Sequence, residues 1–372
     1  MNRNESLYSL AHAGVVDLAI VGGGATGLGV ALDAALRGYS VALLESHDFA
    51  GGTSSRSTKL LHGGVRYLAQ GNVSLVREAL HERQSILAIA PHLAAPLSFV
   101  MPAYAWWKLP FYTIGLKLYD LLAGRAGLGA TEWLSRRETA QALPGVQVRG
   151  LHGGVKYWDA QFDDARLALA IARTARAAGA NVLNHVKVAN LQALEGQSDG
   201  AKWALDWQNQ KGVEQGVLRA KCVVNAAGVW VDDVLAKVNG HVPTRRMVTP
   251  SQGVHLVVDR RFLAGKSALL VPKTTDGRVL FAVPWLGSLI LGTTDTVRDD
   301  APREPLPLEE EIDFILREAA HVLADAPQRA DVRSVWVGLR PLVSPSSQKA
   351  TRSISREHTI VVSDQGLVTV TG

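Results

Sequence analysis

The stretch from Asp17 to Glu45, DLAIVGGGATGLGVALDAALRGYSVALLE, restricts the fold more than any other part of this chain. Residues 15–21 form a short apolar run that reads as a strand. Gly22, Gly24 and Gly27 follow as G-x-G-x-x-G. A helix-period run, LGVALDAAL, then ends at Gly38, and residues 39–44 read as a second strand closed by Glu45. Strand, glycine turn, helix and strand in that order turn a glycine pattern into a nucleotide-binding motif. Gly22 permits the tight turn, Gly24 lets backbone approach a pyrophosphate, and Gly27 lets the helix pack against the strands. The helix N-terminus offers N–H groups and partial positive charge to phosphates. Glu45 is placed to accept hydrogen bonds from a ribose diol. The motif alone does not separate NAD from FAD.

Composition narrows the rest. With 372 residues the chain is long enough for two domains with buried cores, and 47% hydrophobic with 20% charged residues is a globular balance. A single cysteine, Cys222, excludes an internal disulfide, a Cys-rich metal site and a C-x-x-C redox pair. Its apolar surroundings, KCVVNAAG, suggest a buried small hydrophobe. The first 14 residues lack an apolar core of signal-peptide length and read as a loosely held leader. A reducing, cytoplasmic compartment is therefore expected. The net charge of +5 comes from scattered residues with no basic stripe. That argues against nucleic acid and suits an anionic substrate or an anionic membrane surface.

Further along, residues 46–71 pack Thr53, Ser54, Ser55, Arg56, Ser57, Thr58, Lys59, His62, Arg66 and Tyr67 into one irregular segment. Asn72 is a fair N-cap for a helix to about Ile89. An apolar, aromatic tract then runs from Ala90 to Gly124. Pro91, Pro96, Pro102 and Pro110 break it, so it cannot span a bilayer as one helix. Tyr104, Trp106, Trp107, Lys108, Phe111 and Tyr112 have the composition of an interfacial anchor, and a core element fits equally well. Asp163 opens a second helix ending at Gly179. A polar hairpin is expected over 201–219, followed by a separate strand over 221–227. Residues 255–294 read as an antiparallel meander with a turn at Asp276-Gly277, and a helix follows over about 308–323.

A second nucleotide signature is Val223-Val224-Asn225-Ala226-Ala227-Gly228, a strand ending in small residues. A cofactor touched at Gly22–Gly27, at Glu45, at Thr53, Ser54, Ser55 and Lys59, and again at Ala226 and Gly228 is an extended one. FAD fits this better than NAD.

With these segments together, GTSSRSTKLLHGGVRYL, VNAAGVWVDD, LGTTD, WVGLRPLV and SISREH resemble the FAD-dependent, quinone-linked glycerol-3-phosphate dehydrogenases. More distantly the chain resembles the D-amino-acid oxidase and glycine oxidase group. The resemblance runs from about Asp17 to Gly372. It implies an α/β fold with a Rossmann-like FAD-binding domain and a mixed, largely antiparallel-sheet substrate (cap) domain. The expected divisions are 15–75, 151–230 and 341–372 for the FAD domain, 76–150 for a helical, apolar insertion, and 231–340 for the substrate domain. It implies non-covalent FAD, glycerol 3-phosphate as substrate, hydride transfer from its C2 alcohol, and a quinone as acceptor. A phosphate needs forked cations, so Arg66, Arg340 and Arg356, with the Tyr67 hydroxyl, are the expected substrate ligands. His62 and His255 are candidates for the base, since an unperturbed histidine titrates near about 6.5, and Arg340 counts with them as catalytic. The expected location is cytoplasmic or peripheral on the cytoplasmic face of the inner membrane. An oxygen-using oxidase, an amino-acid oxidase with Arg340 on a carboxylate, and an inactive truncated flavoprotein stay open, as does a homodimer. The family continues past the strand GLVTVTG with a glycine, a lysine and a helix. Gly372, a cofactor-lining position in this reading, is therefore expected at an open sheet edge with one wall of the flavin site missing.

Overall fold

The computed structural model describes residues 2–64, 68, 71–238, 246–343 and 358–372. Two sheets organise them. The opening strand Val15–Val21 is central in the first, with parallel partners Gln215–Asn225 on one side and Val41–Leu44 on the other. Asn181–Leu183 and Val368–Thr371 extend the two sides, also parallel. Parallel neighbours need a crossover, and the helix Ala25–Leu36 supplies it between the first two strands. Ile20, Leu43 and Val224 face Leu28 and Ala31 of that helix and Ala172 of the helix Asp164–Ala177. The strands are covered on both faces, which explains their unbroken apolar runs.

The other face is covered in part by residues expected to be a loose leader. Arg3–Ala11 is a helix with a reciprocal capping box between Asn2 and Glu5. Leu7 and Leu10, three apart and so on one side, join Trp203 and Trp207 in a buried cluster. Arg3 also donates to the Asn184 carbonyl and the Asn209 side chain.

Three smaller expectations need correction. The second strand starts at Val41, because Tyr39 stays at the surface. The hairpin and the strand after it are one element. Gln215–Asn225 pairs antiparallel with Trp203–Asn209 in its first half and parallel with the opening strand from Arg219 on. Cys222 is only half-buried, with its thiol pKa raised by partial burial.

In the second sheet the order is Ser334–Val343, Val248–Asp259, Ser288–Gly292, Leu280–Trp285, Ala268–Val271, Ala94–Ala103, Gly153–Phe162 and Leu60–Leu61. The expected meander forms, with Gly277 at φ +82° in its turn. The aromatic tract divides between two roles. Ala94–Ala103 is a core strand in ten-residue register with Gly153–Phe162, and Lys108–Ala123 is a surface helix. The helix Glu309–Ala320 buries Ile312 and Ile315 against one side of the sheet. The helices Val73–Ile89 and Lys108–Ala123 cover the other.

Val368–Thr371 does not lie at an open edge. It pairs with Val224 and Asn225 on one side and with Thr359–Val362 on the other. Thr359–Val362 turns back through Gly366 to pair with Val368–Thr371, so it is the outer strand on this side among the described residues.

Candidate cofactor and active site

At the carboxyl ends of the parallel strands the glycine turn meets the second small-residue segment. A Cβ on Gly22 would lie 2.5 Å from the Ala226 carbonyl oxygen, and one on Gly27 would collide with the Gly22 carbonyl. Gly22 also sits at φ +114°, a backbone conformation that side chains rarely adopt. Gly24 is the helix N-cap and contributes no side-chain cap. Glu45 is held by two backbone donors. The Gly23 N–H reaches one carboxylate oxygen at 2.7 Å and the His47 N–H the other at 2.8 Å. Gly228 opens a single helical turn beside this junction.

Residues 53–59 carry the chain from the nucleotide end to the second sheet. The Ser54 hydroxyl accepts the Ala25 N–H at 2.9 Å, so this loop caps the first turn of the motif helix. Thr53 donates to the Leu339 carbonyl at 2.5 Å. Lys59, at φ +63°, pairs with the buried Asp164 at 2.6 Å and donates to the Ser55 carbonyl at 2.7 Å. The ion pair pins the loop to the helix Asp164–Ala177. The Ser57 hydroxyl donates to the other Asp164 oxygen at 2.7 Å.

The loop crosses a row of the second sheet in which Trp336, His255, Gly292 and Phe281 lie side by side on four neighbouring strands. Cross-strand partners share a face, so this row forms one wall. His255 stacks on Trp336 with ring centres 5.1 Å apart and shares a 2.8 Å hydrogen bond with Thr58. A side chain at Gly292 would strike the His255 ring. His62 lies over Phe281, with ring centres 6.4 Å apart. Both histidines thus reach the same wall from different segments. Burial first, then the nearby charges of Arg340 and Lys59, lower the His255 pKa to about 3. Its Nδ1 and the Trp336 Nε1 are buried with no hydrogen-bond partner among the described residues.

Arg340 lies on the same face, four residues beyond Trp336. The guanidinium fits over Gly253, where a Cβ would collide with it. It donates to the Thr293 hydroxyl at 3.0 Å and lies 3.6 Å from the Asp295 carboxylate. A forked, partly shielded cation beside a buried neutral imidazole can bind an anion while the ring exchanges a proton. The remaining expected ligands, Arg66, Tyr67 and Arg356, lie outside the described residues. Gly372 follows the strand Val368–Thr371 at the carboxyl end of the first sheet, with φ +127°. Sequence reasoning missed Asp164 and Trp336 as parts of the site. Asp164 read only as a helix-start acid, and a tryptophan inside an apolar strand gives no local signal of a site.

The sequence profile of the FAD dependent oxidoreductase family matches residues 17–372. This chain belongs to that family. It is 43% identical over 383 aligned positions to the mitochondrial glycerol-3-phosphate dehydrogenase of Homo sapiens, covering 100% of this chain and 52% of the relative. The chain therefore spans about half the length of the curated relatives it matches. The glycerol-3-phosphate dehydrogenase of Bacillus halodurans, solved with FAD, superposes with a TM-score of 0.75 at 33% identity, covering 99% of this chain and 62% of that one. Glycine oxidase from Geobacillus kaustophilus shares the fold at a TM-score of 0.70 and 22% identity, with 96% and 89% covered.

For an FAD dependent oxidoreductase the donor set fits. A glycine-capped helix start, two glycines that bring backbone together, and an acid at the end of the second strand suit a pyrophosphate and a ribose. Gly22, Gly24 and Gly27 with Glu45, Ser54 and Ala226 would hold the nucleotide half.

Proposed function

We propose that the chain oxidises sn-glycerol 3-phosphate to dihydroxyacetone phosphate. The observation that carries this reading is Arg340 lodged over Gly253 on the same sheet face as His255. The likeness to glycerol-3-phosphate dehydrogenases along the whole chain supports the choice of substrate. FAD, when bound, supplies the hydride acceptor. Arg340 binds the phosphate with Arg66, Tyr67 and Arg356, and the substrate displaces its contact with Asp295. The proton of the C2 hydroxyl goes to His255 or His62. His255 is neutral at pH 7 and so free to accept it, yet the charges of Arg340 and Lys59 make it a weak base. A phosphate dianion beside Arg340 cancels much of that charge and raises the basicity of His255 when substrate is bound. Addition of glycerol 3-phosphate without oxygen is expected to bleach the flavin absorbance of the purified protein. Bleaching by an amino acid and not by glycerol 3-phosphate would reverse the substrate assignment.

Electrons leave to a quinone in this reading, and the chain contacts a membrane peripherally. No helix among the described residues is long and apolar enough to cross one. Of the contact surface expected from sequence, Trp106, Trp107 and Phe111 are exposed and Tyr104 is not. Tyr104 turns inward, donating to the Gln147 carbonyl at 2.9 Å, with its pKa raised to about 12 by burial. Trp106 and Phe111 point outward and are joined by Ile114 and Leu121, each at least 69% exposed. Apolar side chains on one side of a surface helix, with Lys108 beside Trp107, suit a headgroup boundary. Co-sedimentation with anionic vesicles is expected to fall when Trp106 and Phe111 are both changed to Ser. Equal sedimentation of the two proteins would remove the membrane from this reading.

A further inference from the structure

The segment before the helix Glu309–Ala320 reaches back from the second sheet to the nucleotide end. There the Arg303 guanidinium lies 3.9 Å from the centre of the Trp230 ring. One of its N–H groups donates to the Ser46 hydroxyl at 2.9 Å. Trp230 is itself fixed. Its indole N–H donates to the Ala301 carbonyl at 2.8 Å, and its ring lies so close to Gly52 that a Cβ there would sit 3.0 Å away. Ser46 follows Glu45, the acid that ends the second strand. Among the described residues no ion pair joins Glu45 to Arg303, and the Glu45 oxygens accept the Gly23 and His47 N–H groups. Desolvation nonetheless holds the Arg303 pKa below its usual value, with Glu45 acting in the opposite sense. Orienting a long cationic side chain on an indole and partly drying it costs entropy and solvation. One hydrogen bond to a neutral hydroxyl returns little of that cost. A guanidinium has five donors, so the fork retains capacity for an oxygen-rich ligand at the end of this strand.

We propose that Arg303, stacked on Trp230, binds the adenosine-diphosphate end of the cofactor. Its ligands would be the ribose oxygens beside Glu45 and the neighbouring phosphate. The nucleotide half of the site is then closed by a residue from the substrate half, and cofactor binding ties the two sheets together. The inference rests on the FAD reading given above.

The test uses the full chain stripped of flavin. FAD, ADP and riboflavin are titrated by fluorescence quenching or calorimetry against the wild type, Arg303→Ala, Arg303→Lys and Trp230→Leu. Loss of a charge-assisted contact is expected to weaken FAD and ADP about 10- to 30-fold in Arg303→Ala. Riboflavin, which lacks the adenosine-diphosphate portion, is expected to bind as in the wild type. Arg303→Lys is expected to fall between the two, because it keeps the charge and loses the fork. The wild-type FAD affinity should also drop with added salt more steeply than that of Arg303→Ala. FAD and ADP affinities within about twofold of wild type for Arg303→Ala would overturn the proposal. Equal weakening of riboflavin would overturn it too, since the effect would then be a general loosening. A wild-type protein that binds neither FAD nor ADP would instead bring down the FAD reading itself. If Arg303→Ala does not fold, Arg303→Lys decides the matter, and FAD and ADP affinities equal to wild type in that variant would overturn the proposal.

Discussion

Gly22, Gly24 and Gly27 shape the nucleotide end with backbone alone, and the side chains nearest them, Glu45 and Ser54, already bond to the motif's own N–H groups. The substrate end is built the other way. There the wall carries His255, Trp336 and Arg340, and glycines at 253 and 292 serve only to make room for them. In the proposed reading the first end would recognise a ligand through a rigid surface of amides, the second through titratable and charged groups held in a dry setting. One should therefore fail by steric collision and the other by loss of charge.

Gly27→Val is expected to give the largest effect of any single change. A branched side chain would drive into the Gly22 carbonyl, with both partners fixed by helix and strand. Such a clash between rigid elements costs on the order of 3 kcal/mol or more, enough to remove flavin and most of the stability. Flavin content after gel filtration and the thermal midpoint read both effects together. A yellow, stable Gly27→Val protein would break the contrast at its stronger side.

Arg340→Ala comes next and is expected to leave flavin content unchanged. Removing a forked cation from a shielded site costs about 2–4 kcal/mol of transition-state stabilisation. In steady-state kinetics this appears as a fall in kcat/KM of about 30- to 1000-fold. Normal turnover by Arg340→Ala would show that the substrate's charge is held elsewhere.

The same contrast explains what was legible in the sequence. The core of the nucleotide end lies within Asp17–Glu45, with Ser54 and Ala226 added from elsewhere, and its glycine positions are displayed directly in the sequence. The substrate end joins residues 58–62, 255, 281, 292 and 336–340, whose proximity depends on the register of four strands. Motif resemblance picked out His255 and Arg340. It had no way to show that Trp336 and Thr58 take up His255, or that Asp164 takes up Lys59. The leader was misread for a related reason. Its helix is short and weakly apolar, and it stays folded through Leu7, Leu10 and Arg3 meeting partners near residue 200. Aromatic composition at residues 104–112 hid a division of labour, because a strand core and a surface helix both use large apolar residues.

Acidification should weaken the substrate end in particular. The His255 pKa falls from 6.5 to about 3 in the folded protein, so between these values the unfolded chain binds more protons than the native one. Stability from this residue is present above 6.5 and is lost as the pH falls toward 3. From pH 7 to 5 the loss is about 2 kcal/mol. Denaturant unfolding of wild type and His255→Phe at several pH values reads the difference. The stability gap between the two should narrow on acidification, and a gap independent of pH would mean that His255 is charged or exposed in the native state.

The smallest expected effects come from the loop that joins the two ends, and they separate them most cleanly. Ser54 and Thr58 are four residues apart in one segment, with hydroxyls serving opposite ends. The Ser54 oxygen accepts the Ala25 N–H at 2.9 Å, and the Thr58 hydroxyl meets His255 Nε2 at 2.8 Å. Ser54→Ala removes a cap from the motif helix and should cost about 1 kcal/mol, read as weaker FAD binding with little change in KM for substrate. Thr58→Val keeps the shape of the side chain and takes away the partner of a buried imidazole nitrogen. Its cost is also about 1 kcal/mol, but it should appear in kcat and in the pH profile while FAD affinity stays put. If both variants shifted FAD affinity and turnover together, the loop would be one mechanical unit, and the nucleotide and substrate ends would have to be treated as a single site.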